Sequence, residues 1–300
     1  MKLSQLRNLV AVAEAGSVRQ ASRNLNISQS AVTKSIKQLE ADLGVQLLHR
    51  ASHGVSPTSA GEALILRARV VESELREARN DVETVQGGVS GSIRVSASPS
   101  VATGLLPRTI VGFRRTRPNV SIQIEEAVYP EQLPDLRNGN LDFAICLVPE
   151  RLNDDGLDFE VLLKDRLTPA VRADHPLASQ FGLKLSDLID REWVIYRRGR
   201  TGRDIFEHTF VPIGLTPPAR TIYCASFVCA LKLVESSDCV TLVPKHLFSS
   251  RATLAGIVPL HMDTQMPSWN VAVISRSAHT LSPLCRNFLA EIKKTAAAFS

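Results

Sequence analysis

Residues 17–50 read S-V-R-Q-A-S-R-N-L-N-I-S-Q-S-A-V-T-K-S-I-K-Q-L-E-A-D-L-G-V-Q-L-L-H-R, and their spacing decides the fold of the N-terminal part. Ser17 is placed to cap a short helix from about Val18 to Leu25, with Ala21 small enough for a neighbouring helix to approach and Asn26 supplying the turn. Ser28 caps the next helix, in which Ala31, Val32, Ile36, Leu39 and Leu43 recur as a buried stripe. Its other face carries Gln29, Ser30, Thr33, Lys34 and Lys37. Two short helices joined by a tight turn, the second with a polar and basic face, imply a helix-turn-helix whose second helix suits the DNA major groove.

Outward from this stretch, Leu3, Leu6, Leu9, Val10, Val12 and Ala13 repeat at helical spacing and predict a first helix over residues 3–14, closed by Gly16. Gly44 ends the third helix. Val45–Leu48 and Val55–Pro57 then flank a turn with His49, Arg50, His53 and Gly54, a two-stranded wing on which Arg50 either reaches a phosphate or is an ordinary solvated arginine. Residues 1–57 hold seven basic side chains against three acidic ones, so most of the net charge of +5 sits there. Such a basic segment is the footprint of a nucleic-acid-binding module or a solvated surface that happens to be basic.

The quoted stretch, followed by P-T-S-A-G-E at 57–62, resembles the DNA-binding half of LysR-type transcriptional regulators without a gap through residues 3–62. Leu48 stands where that family usually has Phe, and another large apolar residue fills the same core position. The resemblance implies DNA contacts from Ser28, Gln29, Ser30, Thr33, Lys34, Lys37, Arg50 and His53. It also implies a bacterial, cytoplasmic protein that binds double-stranded promoter DNA and leaves RNA polymerase open as a further partner.

Beyond the winged helix-turn-helix (1–57), Ser59 and Glu62 form a capping-box pattern at the head of a linker helix, 58–86. Leu64, Ala68, Val71, Leu75, Ala78, Val82 and Val85 alternate steps of four and three among charged residues, a seam that wants a partner helix or the chain's own body. In the resembling family this helix pairs two subunits, so Leu64, Ala68, Val71, Leu75, Ala78 and Val82 are the candidate dimerisation residues. A homodimer or homotetramer with paired recognition helices implies a site of dyad symmetry. Gly87, Gly88, Val89, Ser90 and Gly91 form the hinge, 87–91.

The remainder, 92–300, alternates strands and helices. Ile93, Val95 and Ala97 make a strand, and Ser98 caps a helix that opens on Pro99 and buries Leu105, Leu106, Ile110 and Phe113. Val120, Ile122 and Ile124 make another strand, Pro130 opens a helix, and Leu141–Leu147 is a continuous apolar strand. A second set starts at Leu167–Val171 and includes Trp193–Tyr196, Arg220–Cys224, Ser226–Glu235 and Val240–Val243, before Asn270–Ile274 and a last helix from Ser282 return to the first. The pattern predicts parallel α/β sheets with ligands at the carboxyl ends of their strands. H-P-L-A at 175–178 and L-V-P at 242–244 extend the resemblance to the family's two-lobed, periplasmic-binding-protein-like α/β effector domain, with lobe I at 92–163 and 266–300 and lobe II at 164–265. Ser237 and Cys239 stand where glycines are common there, which concerns the local turn.

The effector-binding candidates are Ser98, Ser100, Tyr129, Tyr196, Arg197, Ser226 and Phe227. Ser98 and Ser100 at a helix start suit a small anion, unless Ser98 only caps its helix. Tyr129 either lines the cleft or packs, and Arg197 or Arg198 either pairs an anion or is solvated. The pairing of S-P-S with Y-P resembles the branch of the family that senses aromatic carboxylates and sulfonates.

Composition narrows the alternatives. At 300 residues, 44% hydrophobic and 22% charged, the chain supports two or three domains but contains no run suited to a membrane helix, and its N-terminus lacks a secretory pattern. Five cysteines without C-x-x-C fit a reducing compartment, no structural zinc, and mostly buried thiols. No G-x-S-x-G, H-E-x-x-H, G-x-G-x-x-G or P-loop is present and the seven histidines have no metal-ligand spacing, so no catalytic residue, metal or cofactor is expected beyond a small-molecule effector. A solute-binding protein for transport is the other alternative, opposed by the helix-turn-helix.

Overall fold

The structure, a computed structural model, describes residues 1–51, 54–85, 90–149, 154–196, 201–249, 254–277 and 281–299. The chain forms two compact units, Met1–Arg79 with Arg137–Asn140, and Asn80–Leu136 with Leu141–Ser300.

In the first unit, α1 (Leu3–Ala15), α2 (Val18–Leu25) and α3 (Gln29–Leu43) pack through Leu6, Leu9, Val12, Ala21, Val32, Ile36 and Leu39. The Ser17 hydroxyl accepts from the Gln20 amide (3.4 Å), and Asn26 turns the chain at φ 58°. Ser28 caps α3 by accepting from the Ala31 amide at 3.2 Å. The buried stripe of α3 is narrower than its sequence suggests: Ala31 and Leu43 are exposed. They lie in the end turns, where α1 and α2 do not reach.

The wing is β1 (Leu48–Ala51) antiparallel to β2 (Gly54–Pro57), with Leu48 opposite Pro57. Its first strand starts at Leu48 instead of Val45. Glu40 on α3 accepts from the Leu47 and Leu48 amides (2.9 and 3.2 Å), while Thr58 donates through its backbone amide to the Leu47 carbonyl and through its hydroxyl to that of Gln46. Those bonds use the groups that a longer strand would pair.

The long helix α4 (Ser59–Val85) is capped one residue earlier than the capping box predicts: Thr58 Oγ1 accepts from the Gly61 amide at 3.0 Å. Gly61 is there for space, since a Cβ would lie 2.0 Å from the Leu47 carbonyl oxygen. Of the heptad positions, Ala68 is fully buried and Leu64 half-buried against the core of this unit, so these two serve the chain's own packing. Val71, Leu75, Ala78 and Val82 are exposed.

The second unit opens with β3 (Ser90–Ala97), followed by α5 (Pro99–Thr103), α6 (Leu105–Arg114), β4 (Asn119–Glu126), α7 (Leu133–Arg137) and β5 (Phe143–Pro149). Ser90 and Gly91, expected in the hinge, already belong to β3, and 86–89 lie outside the described residues. The single helix expected after Ser98 is two, broken at Gly104, where a Cβ would meet Leu247 Cδ2 at 2.9 Å. Pro130 sits in a turn behind a cis Tyr129–Pro130 peptide, and its helix starts only at Leu133.

The sheet is mixed where a parallel one was expected. β3 runs parallel to β4 and β5, but β11 (Ser268–Arg276) inserts antiparallel between β5 and β6 (Leu157–Arg172). β5 is buried on both faces. Phe143 and Ile145 join Val95, Phe113 and Phe288 of α10 (Pro283–Ala297) on one side, and Ala144 and Cys146 meet Leu133 and Leu136 on the other.

β6 begins ten residues before the expected second set and serves both lobes. Leu157–Arg166 pairs with β11, and Leu167–Arg172 pairs with β9 (Thr241–Pro244) and β10 (Ile257–Pro259). Lobe II adds β7 (Trp193–Tyr196) parallel to β8 (Thr221–Cys224), with α8 (Thr201–Phe210) and α9 (Phe227–Glu235). Trp193 centres its core against Phe206 and Phe210, and its indole N–H donates to the Leu188 carbonyl at 2.9 Å. All five cysteines are free. Cys146, Cys239 and Cys285 are buried as expected, but Cys224 is half-buried and Cys229 exposed.

Candidate functional site

On the first unit, Ser28, Gln29, Ser30, Lys34 and Lys37 are exposed and Thr33 is half-buried, all on the side of α3 away from Val32, Ile36 and Leu39. Gln29, Ser30, Thr33, Lys34 and Lys37 line one shallow concavity, which Gln38 and Ala41 extend. Gln38 donates to Asp42 (2.9 Å), and this hydrogen bond holds the Asp42 carboxyl below its ordinary range. The Ser28 hydroxyl is engaged as the cap and lies 3.0 Å from that of Ser30. Arg50 lies on β1, although its side chain, like residue His53, is outside the described set. An exposed row of amide, hydroxyl and ammonium groups on a helix held rigidly from behind suits hydrogen bonds to base edges flanked by phosphate contacts.

On the second unit, a cavity of about 90 Å³ lies between the two lobes at the ends of their strands. Ser98, Ser100, Tyr129, Tyr196 and Phe227 line it together, as the sequence suggested. Ser226 does not. It is exposed, and its hydroxyl caps α9 by accepting from the Cys229 amide at 3.3 Å. Arg197 lies outside the described residues. Sequence reasoning missed Val128, Leu147, Leu167, Val194, Ile195, Phe206, Thr241 and Leu242. Strand ends were the available signal for Leu147 and Ile195, whereas Phe206 arrives from a helix whose packing no local pattern foretells.

Ser98 occupies the N-cap position of α5, yet its hydroxyl accepts from the Leu147 amide of β5 (3.3 Å) instead of capping its own helix, and so retains a proton to donate. Phe227 meets Tyr196 edge to face at 5.5 Å, and Tyr129 packs on Phe159 at 6.4 Å. Five of the fifteen lining residues bear hydroxyls, and among the described residues none is a lysine, arginine or histidine. Such a site suits an apolar body with a polar end. Behind it, the buried Asp165 pairs with His246, whose other ring nitrogen lies 3.4 Å from the Ser100 carbonyl oxygen.

Residues 3–62 match the bacterial regulatory helix-turn-helix protein, lysR family, and residues 86–297 match the LysR substrate binding domain. The chain belongs to the LysR family. It is 30% identical over 298 residues to the HTH-type transcriptional regulator GbpR of Azospirillum brasilense, covering 98% of this chain and 86% of that one. In fold it is similar to a full-length OxyR variant from Pseudomonas aeruginosa (TM-score 0.72, 23% identity, 99% and 94% covered). It is likewise similar to full-length CbnR complexed with its target DNA (TM-score 0.65, 24% identity, 98% and 100% covered). This LysR-type chain is therefore a transcription regulator with an effector-binding domain, and not an enzyme. Among the described residues, no helix is long and apolar enough to cross a membrane.

Proposed function

We propose that this LysR-type regulator binds a dyad-symmetric promoter site in the cytoplasm as a homodimer or homotetramer, and that a small effector in the inter-lobe cleft switches it. The effector we propose is aromatic, with an anionic end that meets the hydroxyls of Ser98, Ser100 and Tyr129. The observation that carries the reading is the cavity itself, apolar on most sides with hydroxyls at the strand ends. The exposed Val71, Leu75, Ala78 and Val82 of α4 supply the apolar stripe for a second subunit.

A thermal-shift screen with aromatic and aliphatic carboxylates, sulfonates and neutral isosteres tests the cleft. A ligand at about a hundred times its Kd adds roughly 2.7 kcal/mol of stability. The expected hit is an aromatic anion whose shift is lost in Ser100→Ala. A hit that ignores Ser98→Ala, Ser100→Ala and Tyr129→Phe alike places the ligand elsewhere. For the DNA interface, Gln29→Ala costs roughly 1–3 kcal/mol on a site selected from random duplexes and leaves non-specific binding unchanged. Equal losses on both would remove Gln29 from base reading.

A further inference from the structure

The buried pair behind the cleft sits at a corner of the fold. Asp165 stands opposite Trp269 of β11, and two residues further along β6 Leu167 stands opposite Pro244 of β9. The short helical turn that follows β9, Lys245–Ser249, carries His246 back onto this corner. Asp165 Oδ1 accepts from the backbone amides of Arg166 and His246 (2.7 and 3.3 Å), and Oδ2 meets His246 Nδ1. The Asp165 and His246 side chains are only 3% and 2% exposed, so water does not compete for these bonds.

The far side of the imidazole faces lobe I. His246 Nε2 lies 3.4 Å from the carbonyl oxygen of Ser100, a residue of the cleft lining, although His246 itself does not line the cleft. The same carbonyl accepts from the Gly104 amide at 3.0 Å, the bond that closes α5. Lobe II also presses on Gly104, where a Cβ would lie 2.9 Å from Leu247 Cδ2 and 3.7 Å from His246 Cδ2. A helix of five residues does not hold itself in water, so α5 takes its place from such neighbours.

We propose that His246 is a positioning residue of the cleft: a hydrogen bond from Nε2 to the Ser100 carbonyl latches α5 of lobe I to the Asp165 corner and fixes where Ser100 stands. A carbonyl oxygen only accepts, so Nε2 carries a proton, and the second proton of the pair lies between Nδ1 and the carboxylate. What this does for a ligand rests on the effector reading of the cleft; the latch does not.

Two substitutions in the full chain separate a latch from mere filling of the core. His246→Asn keeps an amide donor where Nδ1 stands, within reach of Asp165, and has no atom where Nε2 stands. His246→Gln reaches the Ser100 carbonyl with its amide and leaves Asp165 Oδ2 without its partner. Hydrogen exchange over residues 100–106 and thermal unfolding are followed without ligand, and the expected results cross. His246→Asn quickens exchange of the Gly104 amide about fivefold, the loss of one hydrogen bond, at a nearly native Tm. His246→Gln lowers Tm and leaves that exchange near the native rate. Exchange that tracks Tm in both variants, or stays native in His246→Asn, overturns the latch. Asp165→Asn gives a gentler check, since its new amide donates to Nδ1 and keeps the ring proton on Nε2. Native exchange at Gly104 supports the latch there, and faster exchange at an unchanged Tm overturns it. With benzoate as the probe, affinity follows the exchange, about fivefold weaker in His246→Asn and unchanged in His246→Gln. An affinity that follows Tm instead overturns the positioning of Ser100, whatever the exchange shows of the latch.

Discussion

The recognition helix and the cleft solve opposite problems. α3 buries Val32, Ile36 and Leu39 and displays Gln29, Ser30, Lys34 and Lys37 on an open face, where charge and hydrogen bonds remain in water until a polyanion arrives. The cleft buries Ser98, Ser100 and Thr241 among Leu147, Val194 and Phe227, so a polar group there acts in a medium that excludes water. On the proposed reading, one surface gains affinity from many weak contacts and the other selectivity from few.

The same contrast runs through the two cores and gives ways to break it. Trp193→Ala empties the centre of lobe II between Phe206 and Phe210 and costs about 3–5 kcal/mol. Hydrogen exchange is expected to quicken through β7 and α8, while α1–α3 keep their protection. Loss of protection in both units at once would show that they unfold as one.

Gly61→Ala is the reciprocal change in the first unit. The added methyl meets the Leu47 carbonyl, a backbone atom also bonded by the Thr58 amide, and the expected cost is about 1–3 kcal/mol. Denaturation read by exchange in α3 and α4 checks it, and the effector unit's protection stays as it was. An unchanged α3 and α4 would mean that the helix start yields without strain.

The smallest expected effect is a pH dependence confined to the second unit. Burial holds the His175 imidazole below its usual range, with nearby Asp238 opposing and Arg172 adding to the shift, and the Leu177 amide donates to Nδ1 at 3.0 Å. The unfolded chain therefore takes up a proton before the folded one does. The stability held above the ordinary imidazole pKa of about 6.5 falls as the pH drops below it. Urea titrations at neutral and mildly acid pH read this slope, and His175→Gln flattens it. A slope unchanged by the substitution would assign the acid sensitivity to other groups.

The two regions also differ in how openly the sequence declares them. Ser17, Asn26 and Ser28 act within a few residues of themselves, so α2 and α3 were legible from capping and turn chemistry alone. The wing's first strand was misjudged because Glu40, seven residues away, takes its amides. In the second unit, alternation marked β3 and β4, but it is silent about partner order. β11 therefore enters between β5 and β6 unannounced and makes the sheet mixed. The cleft was half legible: Ser98, Ser100, Tyr129, Tyr196 and Phe227 converge, while Ser226 turns out to cap α9 and Phe206 comes from a helix with no signature of its own. The heptad on α4 was real as a pattern but mixed in use, since Ala68 faces its own core and Val82 faces water.

β6 changes partners between Arg166 and Leu167 without a break in the strand, leaving β11 for β9. Mechanically it is a torsion bar clamped at both ends by different sheets. Any rotation of one lobe against the other twists this ribbon near Asp165, the residue anchored to His246. On the proposed reading, in which an effector in the cleft switches the protein, the peptide units around Arg166 are the elastic element that a turn of the lobes would load, and a softer residue there is expected to enlarge the response without touching the ligand.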